Sequence, residues 1–202
     1  MKVYKITVGL LAENCYIAAA EGRGDAVVID PGADYDRICC ELRRRGLTAG
    51  AVLLTHGHFD HCNAAAQFRS AGCRVYIHET EEQMLRTDMN MAYSVGLRFN
   101  AFVPDVLVRD GDTITECGLT FGVMHTPGHT AGSVCYFSED IIFSGDTLFY
   151  MSVGRCDMPT GSGRQLAESL RRLFATEGDY TVYPGHGEAT TLAFERENNP
   201  YA

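Results

Sequence analysis

Thr55-His56-Gly57-His58-Phe59-Asp60-His61 packs three imidazoles and a carboxylate into six consecutive positions, directly after the apolar run Ala51-Val52-Leu53-Leu54. That run, preceded by Gly50, reads as a short buried strand. Donors this crowded cannot share one face of a strand, with period two, or of a helix, with period 3.6. They belong on a loop that bends around something, and a divalent cation fits. Neutral imidazole and carboxylate suit zinc, iron or manganese better than calcium or magnesium. The bland alternative is a polar loop that gathers histidines by chance. Three of the chain's seven histidines fall here, which weighs against it.

Three further donors stand where strands are expected to end. His129 lies in His125-Thr126-Pro127-Gly128-His129-Thr130, Asp146 in Phe143-Ser144-Gly145-Asp146-Thr147, and His186 in Tyr183-Pro184-Gly185-His186-Gly187. Each follows an apolar strand and a glycine, so the backbone can turn tightly and project a side chain into a common cleft. Singly, each would be a hydrogen-bonded histidine or aspartate. Together with His56, His58, Asp60 and His61 they make seven donors, enough for two metal ions. Asp30, at the end of Ala26-Val27-Val28-Ile29 and before Pro31-Gly32, caps a turn or orients a metal ligand; the residues alone leave both open.

The elements that position these groups follow from periodicity. Strands are expected at Val3 to Gly9, Asn14 to Ala20, Ala26 to Ile29, Ala51 to Leu54, Arg74 to His78 and Val106 to Val108. A second strand-rich half follows, with Thr113-Ile114, Leu119 to Met124, Ser133 to Phe137, Ile141 to Phe143 and Thr181 to Tyr183. Helices are expected at Tyr35 to Gly46, Cys62 to Ser70, Glu79 to Thr87, Gln165 to Ala175 and Ala189 to Glu197. The Met-rich piece from Met84 to Phe102 reads as core or subunit contact, with a mobile apolar flap as the alternative. This order suits two sheets sandwiched between helices, in one domain spanning residues 1 to 202.

Composition excludes several classes. The chain has 202 residues, 46% hydrophobic and 21% charged, with a net charge of −9. No basic block offsets that charge, which argues against nucleic acid or an anionic membrane as partner. Arg43-Arg44-Arg45 closes a helix, where cations complement the dipole. Neither a signal peptide nor a membrane span is expected. The eight cysteines are scattered through apolar segments without a CxxC, so free thiols and a cytoplasmic location are expected.

The His-x-His-x-Asp-His loop, followed in order by His129, Asp146 and His186, resembles the metallo-β-lactamase-fold hydrolases over essentially the whole chain. The resemblance implies an α/β (α+β) fold, the four-layer αββα metallo-β-lactamase sandwich, with two metals at one edge. Carried onto this chain, it gives His56, His58 and His129 to the first metal and Asp60, His61 and His186 to the second, with Asp146 bridging. Asp30 matches the family's buried aspartate near the loop. His78 and His125 match no ligand position and are read as structural. Two divalent ions are implied, Zn2+ first and iron or manganese otherwise. Asp60, His61 and Asp146 are the catalytic set, Asp60 acting as a ligand and not as a free base.

Gly145 to Phe149, Gly154-Arg155-Cys156-Asp157, Tyr183 to Gly187 and Glu195 to Pro200 resemble the glyoxalase II branch, in its short bacterial form. That resemblance implies hydrolysis of an S-acylglutathione such as S-lactoylglutathione, or a related small thioester. Arg155 would then meet a substrate carboxylate, unless Asp157 holds it. Gly187-Glu188 replaces the tyrosine with which longer relatives grip glutathione, and the chain ends at Ala202 without their C-terminal helical region. The alternatives are a mononuclear-iron persulfide dioxygenase, whose Gly-Arg-x-Asp segment is similar, and a lactonase-type hydrolase on the same two metals. The expected partner is a small-molecule thioester, and the expected state a monomer or homodimer.

Overall fold

The computed structural model describes residues 1–202. Six strands form the first sheet in sequential order: β1 (Lys2–Val8), β2 (Glu13–Ala19), β3 (Asp25–Ile29), β4 (Thr48–Leu53), β5 (Arg74–His78) and β6 (Val106–Val108). β1 to β3 pair antiparallel, and β3 to β6 run parallel. Their parallel pairing requires crossovers. The first two are α1 (Tyr35–Arg44) and the successive short helices α2 (Phe59–Cys62) and α3 (Ala65–Ser70), and between β5 and β6 the chain crosses through short 3-10 turns.

The second sheet has the order β14-β13-β10-β9-β8-β7. Its strands are β7 (Thr113–Glu116), β8 (Leu119–His125), β9 (Val134–Ser138), β10 (Ile141–Gly145), β13 (Thr181–Pro184) and β14 (Thr190–Thr191). A small ribbon of β11 (Leu148–Phe149) and β12 (Ser152–Val153) follows Asp146. Helices α4 (Gly163–Phe174) and α5 (Leu192–Asn198) cover this sheet's outer face.

Period-two alternation explains the layering. On β2 to β5, Ile17, Val28, Val52 and Ile77 face α1 and α3, with Ile38, Leu42 and Phe68 against them. The alternate residues Tyr16, Ile29, Leu53 and Tyr76 face the other sheet and meet Phe121, Tyr136 and Phe143. Strands buried on both faces need near-continuous apolar runs, as Val27-Val28-Ile29 and Ala51-Val52-Leu53 provide. Beyond the second sheet, Ile142 and Val182 pack on Leu166, Leu170 and Leu173 of α4. The result is the expected αββα sandwich.

Three expected helices are corrected. The Glu79 to Thr87 helix is two 3-10 turns, Glu79–Glu81 and Met84–Arg86. Glu81, Met84 and Leu85 are buried at i, i+3 and i+4, the spacing of a helix face that makes the segment read as helical. Glu81 is committed to the Gly57 and Gly132 N–H groups, however, and the chain forms two separate turns instead. The Cys62 to Ser70 helix is broken: α2 lies inside the histidine loop and α3 starts afresh after Ala64, whose N–H donates to the Pro31 carbonyl at 3.0 Å. The closing helix begins at Leu192, three residues after Ala189, because Thr190-Thr191 pair with β13 as β14. Thr191 caps α5, its Oγ1 accepting from the Phe194 N–H at 3.2 Å.

The Met84 to Phe102 piece divides. Met84, Leu85, Ala92 and Phe102 are buried in the core, while Met91 and Val95 line a cleft. No helix is long and apolar enough to cross a membrane.

Phe121 joins the two sheets and is fully buried. Phe121→Ala is expected to cost about 3–5 kcal/mol of stability, measured by urea unfolding. A loss under about 1 kcal/mol would mean that the inter-sheet layer is not tightly packed.

Candidate metal centre

All seven sequence-identified donors meet at one edge of the sandwich, each leaving the C-terminal end of a strand. β4 delivers His56 to His61, β8 leads to His129, β10 to Asp146 and β13 to His186. The expected loop contains one helical turn. His58 precedes α2, on which Asp60 and His61 sit side by side.

The donor atoms fall into triads whose members lie within 4.8 Å of one another: His56, His58 and His129; Asp60, His61 and His186; and His56, His61 and Asp146. Asp146 stands between the first two. Its Oδ1 is 3.3 Å from His61 Nε2. Its Oδ2 is 3.6 Å from His129 Nε2 and 3.8 Å from His186 Nε2. His186 Nε2 is also 3.3 Å from Asp60 Oδ2, and His58 Nδ1 is 2.9 Å from His129 Nε2.

Three of the five rings are oriented by the nitrogen that faces away from the centre. His129 Nδ1 donates to the Arg155 carbonyl at 2.7 Å. His61 Nδ1 donates to Asp30 Oδ2 at 3.0 Å. His56 Nδ1 donates to Thr55 Oγ1 at 3.1 Å, and that hydroxyl donates onward to Asp30 Oδ2 at 2.6 Å. Asp30 Oδ1 accepts the Thr55 backbone N–H at 2.7 Å. A single carboxylate thus holds two of the rings, one directly and one through a hydroxyl. Such partners fix the tautomer that leaves Nε2 as a lone pair aimed inward.

The electrostatics match. Burial, then the neighbouring rings, pushes His56 well below the ordinary imidazole range and His58 down to about 3. Burial also lowers His129. These three are neutral donors at pH 7. Burial works against the charge on Asp60 and Asp146, but His61 together with His186, and for Asp146 also His129, outweighs it, and both carboxyls lie below their usual value. Burial opposes a proton on His61, yet Asp146 and Asp60 raise that imidazole well above its normal range. Beside three neutral imidazoles, the anionic oxygens of Asp60 and Asp146 draw a proton onto His61, a positive charge that a bound cation would replace.

His56 Nε2, His58 Nε2, His61 Nε2 and Asp146 Oδ1 are buried without a hydrogen-bond partner. An orphaned buried polar atom costs about 1–3 kcal/mol, so several at one point are expected only where a ligand satisfies them. Imidazole nitrogens and carboxylate oxygens suit zinc, iron or manganese. The residues present fit a bound divalent cation.

Other side chains, not singled out from the sequence, hold the loops together. Glu81 is fully buried, and its two oxygens accept the Gly57 and Gly132 N–H groups at 2.8 and 2.7 Å, tying the histidine loop to the His129 loop. Asn14 Nδ2 donates to the Pro184 and Gly187 carbonyls at 3.1 and 2.9 Å, holding His186 between them. Glu13, 1% exposed, pairs in backbone register with His186, and its Oε1 lies 3.8 Å from His61 Nδ1. Burial pushes its carboxyl well above the usual range, and neither oxygen has a partner. Gly185 has no room for a side chain: a Cβ there would stand 2.3 Å from Asp146 Oδ1 and 2.5 Å from His61 Cε1.

Arg155 lies at the cleft rim with Asp157, which accepts from its Nε at 3.0 Å and from a terminal nitrogen at 2.9 Å. His78 and His125 lie outside the cluster, stacked on each other with centroids 4.0 Å apart. The Cys62 thiol donates to the His58 carbonyl at 3.0 Å and is pushed up by burial, so it is no nucleophile. Cys156, half-buried, is not among the clustered donors.

Residues 8–186 match the sequence model of the Metallo-beta-lactamase superfamily. The chain is 38% identical to an uncharacterized protein of Mycobacterium tuberculosis, over all of this chain and 97% of that one. It is 31% identical to the hydroxyacylglutathione hydrolase GloC of Haemophilus influenzae, over all of this chain and 98% of that one. Among solved structures it is similar to BLEG-1, a B3 metallo-beta-lactamase, with a TM-score of 0.93 and 34% identity over 99% of each chain. It is also similar to TTHA1623 in a di-iron-bound form, with a TM-score of 0.88 and 35% identity over 98% of this chain and all of that one.

Asp30→Ala removes the acceptor shared by His61 and Thr55. It is expected to weaken metal binding roughly 10- to 100-fold, read by competition with a chromophoric chelator. Unchanged affinity would show that the rings orient themselves. Arg155→Ala is expected to leave metal content and Tm unchanged, since the backbone carbonyl and not the guanidinium meets His129. A KM rise confined to carboxylate-bearing thioesters would instead give the guanidinium a substrate contact.

Proposed function

The chain belongs to the metallo-beta-lactamase superfamily, and from that premise we propose that it is a metal-dependent hydrolase of thioesters, of the hydroxyacylglutathione hydrolase type. The observation that carries this is the placement of Asp146, one carboxylate within 3.8 Å of nitrogens from both donor triads. That arrangement supports two divalent ions: His56, His58 and His129 would hold one, and Asp60, His61 and His186 the other, with Asp146 shared. Two such ions supply hydroxide at neutral pH and polarise an acyl carbonyl, which is what thioester hydrolysis requires.

The chain's own residues do the rest. Asp30 and Thr55 hold His61 and His56 in their tautomers. The Arg155 carbonyl does the same for His129. Asp60 and Asp146 remain anionic at neutral pH, so they balance cationic charge and serve as ligands rather than as a proton store. Direct attack by water would need no serine or cysteine nucleophile. Phe59, Phe149 and Val153 border the cleft beside His58, His129 and His186, narrowing access of bulk water to the carbonyl. The hydroxyacylglutathione hydrolase at 31% identity supports the thioester as the bond cleaved, and the di-iron form at 35% identity supports two metals, with iron as well as zinc in range.

The test is hydrolysis of S-lactoylglutathione by protein whose metal content is counted in the same sample. About two metals per chain with turnover is the expected result. His58→Ala is expected to lose about one metal per chain and nearly all activity, and prolonged chelation to abolish turnover until metal is returned. Two metals with lactone but no thioester hydrolysis would reassign the protein to the lactonase reading. A single iron with oxygen uptake on a persulfide would replace the hydrolase by the dioxygenase.

A further inference from the structure

The cleft over the cluster holds a volume of about 470 Å3 and is walled by three segments from different parts of the chain. Leu11 comes from the β1–β2 turn, Met91 and Val95 from the 3-10 stretch before β6, and Phe149 and Val153 from the β11–β12 ribbon. Val153 leans on the core beneath α4, but Leu11 and Val95 are largely in solvent. Leu11 is 50% exposed and Val95 49%, and their neighbours Leu10 and Tyr93 are 82% and 80% exposed. Large apolar side chains left in water around a cleft mark a surface that some ligand covers.

Charge narrows the ligand. Arg155 is the only basic side chain other than the imidazoles that lines the cleft, and one edge of its guanidinium is bonded to Asp157. Asp60 and Asp146 lie at the floor. A glutathionyl group brings two carboxylates, for which this wall offers a single guanidinium, already bonded along one edge to Asp157. An alkyl arm matches it better, since each methylene placed against Leu11, Val95 or Phe149 leaves water without stranding a charge.

We propose that the preferred substrates are thioesters with an uncharged, unbranched apolar arm of about four to eight carbons on one side of the carbonyl, lying along the Leu11–Val95–Phe149 wall. This rests on the thioesterase reading above. The arm belongs to the acyl half or to the thiol half, and the wall's chemistry is the same for both.

Two substrate series separate these cases: acyl chains from acetyl to octanoyl on N-acetylcysteamine, and alkyl thiols from ethyl to octyl carrying an acetyl group. In one series, kcat/KM is expected to rise roughly two- to fourfold per methylene, the gain from burying a CH2, before levelling off. Val95→Ser and Leu11→Ser should each flatten that slope. A binding readout that needs no turnover accompanies it. Dissociation constants of the matching S-alkyl thioethers, measured by calorimetry, should fall with chain length in the wild type. Flat slopes in both series, with S-lactoylglutathione cleaved faster than any neutral thioester, would overturn the proposal and leave the thioesterase standing. No cleavage of any thioester would overturn both. A dimer that Val95→Glu converts to a monomer, with thioether binding insensitive to chain length, would assign the wall to a second copy of the chain and overturn the substrate assignment.

Discussion

The Asp30 carboxylate is the contact on which the centre depends. It is 2% exposed, sits on a left-handed backbone with φ of 49°, and accepts from the Thr55 N–H, the Thr55 hydroxyl and His61 Nδ1. Aspartate tolerates that conformation better than most residues, at a cost of order 1 kcal/mol. The strain sits where β3 ends beside β4, so the carboxylate reaches across to the residue that opens the histidine loop. A buried carboxylate with three donors is stable there. Remove it, and two buried ring N–H groups and one amide lose an acceptor chain at once.

Around it the loops are clamped by polar side chains rather than by apolar packing. Glu81 ties the histidine loop to Gly132, and Asn14 with the Tyr16 hydroxyl grips Pro184. Glu195 binds Thr190, Asn199 and the Met151 N–H, fixing α5 to the β11–β12 ribbon. Directional hydrogen bonds suit this task. Apolar packing sets how close two segments lie but leaves them free to slide, whereas two N–H groups on one carboxylate fix distance and register together. Ligand nitrogens that must converge within a few ångströms need the second kind of restraint.

The sequence disclosed this site unevenly, for physical reasons. The seven donors were legible because metal ligation demands particular residue types, crowded or placed after strands, and few other pressures produce that pattern. The sheets were legible because strands buried on both faces need unbroken apolar runs. Glu79 to Thr87 misled because its composition favours a helix, while Glu81 is drawn inward by two amides contributed from Gly57 and Gly132, far away in sequence. Glu13, Glu81 and Asn14 were invisible for the same reason: a lone glutamate on a surface helix and one that clamps two loops look alike until the fold brings their partners together. Only the Asp30 role was approachable, through its place at a strand end and the family pattern.

The two ends of the cleft obey different rules. At the floor, Asp30, Thr55 and the Arg155 carbonyl leave His56, His61 and His129 a single orientation each. At the mouth, Leu11, Met91 and Val95 sit on turns and 3-10 segments without polar ties between them. The floor is therefore fixed by directional bonds, whereas the wall touches none of the bonds that orient the donors. Two similar proteins illustrate how little overall likeness constrains substrate: a B3 metallo-beta-lactamase at 34% identity and a hydroxyacylglutathione hydrolase at 31%. Function in such a fold resides in the site and in what its walls admit to the floor. In this chain the walls are apolar and the only guanidinium among them is already paired.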